Sequence, residues 1–130
     1  MIPAIHFYII DDDPSFGNSL KRLLVAKGFS AEYFKSPQTF LDSVPTENQG
    51  YAIIDIHMPG CKGFELMETM RQMHYSMPVI VITGQPLEDS RDMAMRKGAI
   101  GFLQKPFSED SLWEIIASVQ ENQDEQAGQR

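Results

Sequence analysis

Basic charge is in short supply in this chain: 11 Lys and Arg stand against 18 Asp and Glu, a formal net charge of −7. Nucleic-acid backbones are held by clustered cations, so direct nucleic-acid binding is excluded as the chain's task. Cysteine is scarcer still. Cys61 stands alone, which rules out an intrachain disulfide or a cysteine-rich metal site, and it reads as a loop residue without special chemistry. No apolar stretch approaches the roughly 18 residues of a membrane span. The amino terminus also lacks the basic region and cleavage site of a secretory signal, so a cytoplasmic location with no membrane partner is expected. The 130 residues leave no room for a second domain. With 42% hydrophobic and 22% charged residues the composition suits a soluble globular fold and not a disordered or fibrous one.

What the chain does have is a rhythm of short apolar runs. They cover His6 to Ile10, Ala31 to Phe34, Ala52 to Ile54, Val79 to Ile82 and Gly101 to Leu103. Their centres recur at intervals of about two dozen residues, the length of a strand, a turn and a crossover helix. Between them apolar residues recur at helical spacing: Phe16, Leu20, Leu23 and Leu24; Phe40, Leu41 and Val44; Leu66, Met67, Met70 and Met73; Leu112, Ile115, Ile116 and Val119. The stretch from about Leu87 to Lys97 has the weakest stripe and should be the least firmly packed helix. Asp13-Pro14 and Ser36-Pro37 place a capping oxygen ahead of a proline at the first helical position, Ser108 can cap the last helix, and Gly28 and Gly98 can close helices. Alternating strands and helices predict an α/β fold, a parallel sheet with helices on both faces and right-handed crossovers. The run carrying Glu32 suits an edge strand, and the polar residues 121–130 read as a tail or the start of a linker.

Four runs end on polar residues of different chemistry: Asp11 and Asp12, Asp55, Thr83, and Lys105. In an open parallel sheet these emerge along the carboxyl edge, where such sheets bind ligands. Three carboxylates brought that close require a cation or altered pKa values, since two charges 4 Å apart repel by roughly 4 kcal/mol at an effective dielectric near 20. Oxygen-only ligands point to Mg²⁺ or Mn²⁺. Asp13, just ahead of Pro14, reads as a helix cap. Asp55, where a strand breaks into a loop, can be a metal ligand or a nucleophile toward phosphorus. Thr83 offers a hydroxyl, Gly84 an amide unobstructed by a Cβ, and Lys105 a cation able to pair with Asp55 or with phosphoryl oxygens. Pro106 ends the last strand and is a candidate for the cis form that would aim the lysine.

On these residues the chain resembles the receiver domain of a two-component response regulator. The likeness runs over about residues 5 to 120: Ile9-Ile10-Asp11-Asp12-Asp13, then Asp55-Ile56-His57-Met58-Pro59 with Gly63, then Val79 to Gly84, and finally Gly98-Ala99 through Lys105-Pro106-Phe107. The resemblance implies a doubly wound five-stranded parallel sheet of order 2-1-3-4-5, a flavodoxin-like (βα)5 fold, with residues 1–120 as receiver. It implies that Asp55 accepts a phosphoryl group from a phosphohistidine on a partner kinase. Asp11, Asp12, Asp55 and the His57 carbonyl would hold Mg²⁺ (or Mn²⁺), with Lys105, the Thr83 hydroxyl and the amides of His57 and Gly84 on the phosphoryl oxygens. Thr83 and Phe102 would form the switch that alters the face between the fourth helix and the fifth strand and helix, where an output domain, a partner protein or a second copy would meet it. Such a domain phosphorylates and dephosphorylates itself without turning over an external substrate.

Three positions depart from the family pattern. Lys62 replaces the usual Asp, Asn or Ser, and His57 and Gln85, each two residues beyond a site residue, are expected to tune hydrolysis of the acyl phosphate. Two other readings remain open. Asp11-Asp12-Asp13 contains the Asp-x-Asp spacing of Mg²⁺-dependent haloacid-dehalogenase-type phosphatases, although that family needs a later acidic pair at a strand end, and Glu109-Asp110, which follows Lys105, sits at a helix start and after no apolar run. The chain could also bind without accepting phosphate, as a flavodoxin-like nucleotide binder or a phosphate-independent receiver. The first loop argues against a nucleotide, because it presents three aspartates where phosphate-cradling amides would be needed.

Overall fold

A computed structural model describes residues 5–58, 62–84 and 89–128, with side chains through Ser118. Strands and helices alternate along the chain: β1 His6–Ile10, α1 Pro14–Ala26, β2 Ser30–Phe34, α2 Pro37–Ser43, β3 Tyr51–Asp55, α3 Lys62–Gln72, β4 Val79–Thr83, α4 Ser90–Arg96, β5 Gly101–Gln104 and α5 Glu109–Gly128. The strands form one sheet in the order β2-β1-β3-β4-β5, and every pairing is parallel. β2, the strand carrying Glu32, lies at the edge. This is the α/β arrangement expected from the sequence, with the same strand order.

Alternation along the strands divides the core between the two faces. Tyr8, Ile10, Ala52, Ile54, Val79 and Val81 join Phe40, Leu66, Met70 and Ala94 on one side. Phe7, Ile9, Ile53, Ile80 and Ile82 join Leu20, Leu24, Leu112 and Ile116 on the other. Strands covered on both faces carry near-continuous apolar sequence, and β3 and β4 are buried at every residue.

The helix ends follow the sequence signals. The Asp13 carboxylate accepts from Ser15 and Phe16 amides, Ser36 and Thr39 cap each other reciprocally, and the Ser111 amide donates to Ser108 Oγ. Gly28 and Gly98 take φ of 96° and 101°, the left-handed region that closes a helix.

One detail differs from the sequence reading, and two others add to it. Met73 stands at helical spacing from Met70 but is 44% exposed, because the chain turns back just after it, with His74 at φ 67°. In α4 the buried residues are Ser90 and Ala94, while Met93 and Met95 face outward, so its contact with the sheet is narrow. α5 continues as helical backbone past residue 120, into the polar stretch. Among the described residues no helix is long and apolar enough to cross a membrane.

Candidate functional site

Each strand delivers its last residues to one edge of the sheet. Asp11 directly follows β1, Asp55 and Thr83 end β3 and β4, and Lys105 directly follows β5. Asp11, Asp12 and Asp55 can each bring a carboxylate oxygen within 4.8 Å of the others. Asp11 is fully buried, Asp55 nearly so, and Asp12 is exposed.

Lys105 joins two of these carboxylates. Its Nζ donates to Asp11 Oδ2 at 2.7 Å and to Asp55 Oδ2 at 3.2 Å. The second oxygen of each aspartate is held from two residues further along: the Asp13 amide donates to Asp11 Oδ1 at 2.9 Å, and the His57 amide to Asp55 Oδ1 at 2.7 Å. The expected Lys105–Asp55 pair is therefore present, but the shorter contact goes to Asp11. Burial matters here, since a carboxylate removed from water needs a partner more than an accessible one does. Burial also raises the Asp11 pKa, outweighing the opposing hydrogen bonds from Lys105 and Asp13. For Lys105 burial acts downward, yet the hydrogen bond and charge of Asp11 and the charge of Asp55 outweigh it and hold the ammonium above its ordinary value. The lysine is thus a fixed cation between two carboxylates.

Other sequence-derived positions fall around this pair. Thr83 is fully buried, and its carbonyl accepts from the Lys105 amide at 2.8 Å. Lys105-Pro106 is cis. At Gly84 an added Cβ would meet Lys105 Cδ at 3.9 Å, an ordinary contact, so packing alone does not demand glycine there. The His57 side chain is exposed. Phe102 is half-buried beside Val81 and packs on the core cluster that holds Ala94. Gln85, Pro59 and Cys61 lie outside the described residues.

Two aromatic residues at the site were not singled out by the sequence reading. Phe16 lies beneath the Lys105 ammonium, 4.0 Å from ring centroid to Nζ, a cation–π contact that helps hold the cation in place. Tyr33 donates its hydroxyl to the Asp11 carbonyl at 2.7 Å. Burial first, then the charges of Asp11, Asp13 and Asp12, raise the Tyr33 pKa, which keeps the phenol protonated as a donor.

Gly63 explains how the loop after Asp55 is packed. A Cβ there would stand 2.5 Å from Ile56 Cα and 2.6 Å from the Asp55 carbonyl oxygen, both rigid backbone atoms. Gly63→Ala is accordingly expected to cost about 1–3 kcal/mol of stability, the usual penalty for overpacking. Urea unfolding measures it, and an unchanged midpoint would mean that the loop yields freely.

The response regulator receiver domain model matches residues 7–117. The chain is 38% identical over 114 residues to the transcriptional regulatory protein FixJ of Bradyrhizobium diazoefficiens, covering 88% of this chain and 56% of that protein. It is 34% identical over 109 residues to the DNA-binding transcriptional regulator NtrC of Klebsiella pneumoniae, covering 84% of this chain and 23% of that protein. Among solved structures, FixJ-N superimposes with a TM-score of 0.80 at 30% identity, covering 89% of this chain and 93% of that one. The response regulator StyR gives 0.82 at 33% identity, covering 98% and 65%. The chain thus spans about half the length of its FixJ relatives.

Proposed function

The chain belongs to the response regulator receiver family, and from that premise we propose that Asp55 accepts a phosphoryl group from a phosphohistidine on a sensor kinase or phosphotransfer protein. The observation that carries this reading is the single ammonium of Lys105 held between the Asp11 and Asp55 carboxylates, with Asp12 beside them.

In the proposed step a carboxylate oxygen of Asp55 forms the new O–P bond as the P–N bond to the donor imidazole breaks, and the departing imidazole keeps the electron pair and takes a proton. The oxygen-only donor set of Asp11, Asp12, Asp55 and the His57 carbonyl suits a hard cation. Bound there, Mg²⁺ (or Mn²⁺) supplies positive charge against the phosphoryl oxygens and the crowded carboxylates. Lys105 exchanges its contact with Asp55 for a phosphoryl oxygen, and the His57 amide, the Gly84 amide and the Thr83 hydroxyl complete the ring of donors. Hydrolysis of the acyl phosphate resets the domain, with His57 and Gln85 tuning its rate.

The same contacts couple occupancy to shape. Thr83, drawn toward the phosphate, vacates space for half-buried Phe102, and α4, held to the core mainly through Ala94, is the element able to shift at little cost. The face formed by α4, β5 and α5 then regulates an output domain, a partner protein or a homodimer. Residues 1–120 form the receiver in this reading, and 121–130 lead away as a tail or linker. The domain acts in the cytoplasm.

Three measurements test this reading. Acetyl phosphate with Mg²⁺ is expected to add one phosphoryl group by intact mass, and a chelator to prevent it. A phosphomonoester should not be turned over, and sustained turnover would favour a phosphatase instead. Binding by the folded state alone also raises stability: at a Mg²⁺ concentration 100 times its Kd the gain is about 2.7 kcal/mol, and Asp12→Ala should remove most of it. Thermal unfolding with and without Mg²⁺ reads this directly, and equal melting temperatures for the wild type would count against a Mg²⁺ site.

A further inference from the structure

We infer that Tyr33 is a positioning residue for the metal-binding turn, holding the peptide unit between Asp11 and Asp12 from the neighbouring edge strand. The inference rests on the phosphoacceptor reading above and adds to it a residue outside the strand ends.

The pairing of β1 with β2 runs from His6↔Ser30 to Ile10↔Phe34, and the Asp11 amide extends it by donating to the Phe34 carbonyl at 3.2 Å. There the backbone ladder stops. Among the described residues no backbone donor reaches the Asp11 carbonyl, and the Tyr33 hydroxyl takes that place at 2.7 Å. A buried carbonyl without a partner costs free energy, so this bond decides how the turn sits as well as whether its polar group is satisfied.

The ring reaches the turn by crossing α1 at Gly17. A Cβ at that position would stand 2.2 Å from Tyr33 Cε1 and 2.4 Å from Cδ1, so the tyrosine can lie there because residue 17 is glycine. Gly17 is itself tied to the turn, since its amide donates to the Asp13 carbonyl at 3.0 Å. The clamp therefore has two parts, a hydroxyl on Asp11 and a ring seated against the first turn of α1. The side chain of Asp11 is already held by Lys105 and the Asp13 amide. The tyrosine fixes what those contacts leave open, the orientation of the backbone from which exposed Asp12 projects.

Tyr33→Phe keeps the ring and removes the hydroxyl. Calorimetric titration with Mg²⁺ is expected to show affinity about three- to ten-fold weaker than wild type, the worth of one net hydrogen bond. Phosphorylation by acetyl phosphate should slow at limiting Mg²⁺ and recover at saturating Mg²⁺. A merely structural tyrosine would lower the melting temperature without this split. Gly17→Ala, which displaces the ring but keeps the hydroxyl, should weaken Mg²⁺ to a similar degree, and the double variant should be no worse than the poorer single one. Unchanged affinity in Tyr33→Phe overturns the inference, as does a fully additive double variant. A flat titration of the wild type would overturn the phosphoacceptor reading and this inference with it.

Discussion

Asp55→Asn is expected to abolish phosphorylation by acetyl phosphate outright while leaving a folded protein. The amide matches the carboxylate in shape and can still accept the 2.7 Å hydrogen bond from the His57 amide, so the loop after β3 has no reason to move. What is lost is the anionic oxygen that attacks phosphorus, and an amide oxygen is too weak a nucleophile to replace it. The change also removes one of the carboxylates gathered within 4.8 Å, relieving repulsion as it gives up the 3.2 Å contact with Lys105. Stability should therefore stay near the wild-type value. Intact mass after incubation with the donor, paired with thermal unfolding, separates loss of chemistry from loss of fold. A phosphoryl adduct formed at the wild-type rate would remove Asp55 from the account.

Lys105→Met is expected to slow phosphorylation by about 10²–10³-fold, the usual cost of deleting one preorganised donor to a developing charge. The variant keeps an unbranched side chain and loses the ammonium that lies over Phe16, so the effect is electrostatic. It should also reshape the unliganded protein. The Asp11 carboxylate is fully buried and makes the shorter of its two hydrogen bonds to Lys105, and removing one partner of a buried pair costs about 3 kcal/mol when the other must stay charged. Asp11, whose pKa burial already raises, can limit that cost by taking up a proton. Because the folded state raises the Lys105 pKa, the lysine keeps its charge at neutral pH, and the stability that charge contributes fades as pH climbs through the raised value. Mg²⁺ binding should survive the substitution, since the metal replaces positive charge where the lysine supplied it. Rapid phosphorylation of Lys105→Met would refute the assigned task, and a loss of Mg²⁺ binding would point to a collapsed site instead.

The strand ends could be read in the sequence because parallel strands must deliver their polar terminal residues to one edge. Asp11, Asp12, Asp55, Thr83 and Lys105 are spread over most of the chain, yet topology alone gathers them. The helix caps at Asp13, Ser36 and Ser108 were legible for a local reason, since a capping oxygen and its amide lie within a few residues.

What escaped depends on packing between elements. Phe16 belongs to the apolar stripe of α1, and nothing in its spacing shows that its ring lies under an ammonium 89 positions later. Tyr33 reads as an ordinary β-strand aromatic until the β1–β2 register and the missing side chain at Gly17 bring it to Asp11. The preference of Lys105 for Asp11 over Asp55 follows from a difference in distance that charge patterning cannot resolve. Periodicity likewise overstated burial at Met73, because a stripe continues on paper past the point where the helix turns away.

The central claim is that these strand ends form a Mg²⁺-dependent acceptor for a phosphoryl group. Its most direct test is to incubate the wild-type protein with acetyl phosphate and Mg²⁺, trap the acyl phosphate by borohydride reduction, and locate the modified residue by peptide fragmentation. The expected result is a single modification at Asp55 that disappears when Mg²⁺ is chelated. A modification at another residue, or one at Asp55 that forms equally well without the metal, would contradict the account.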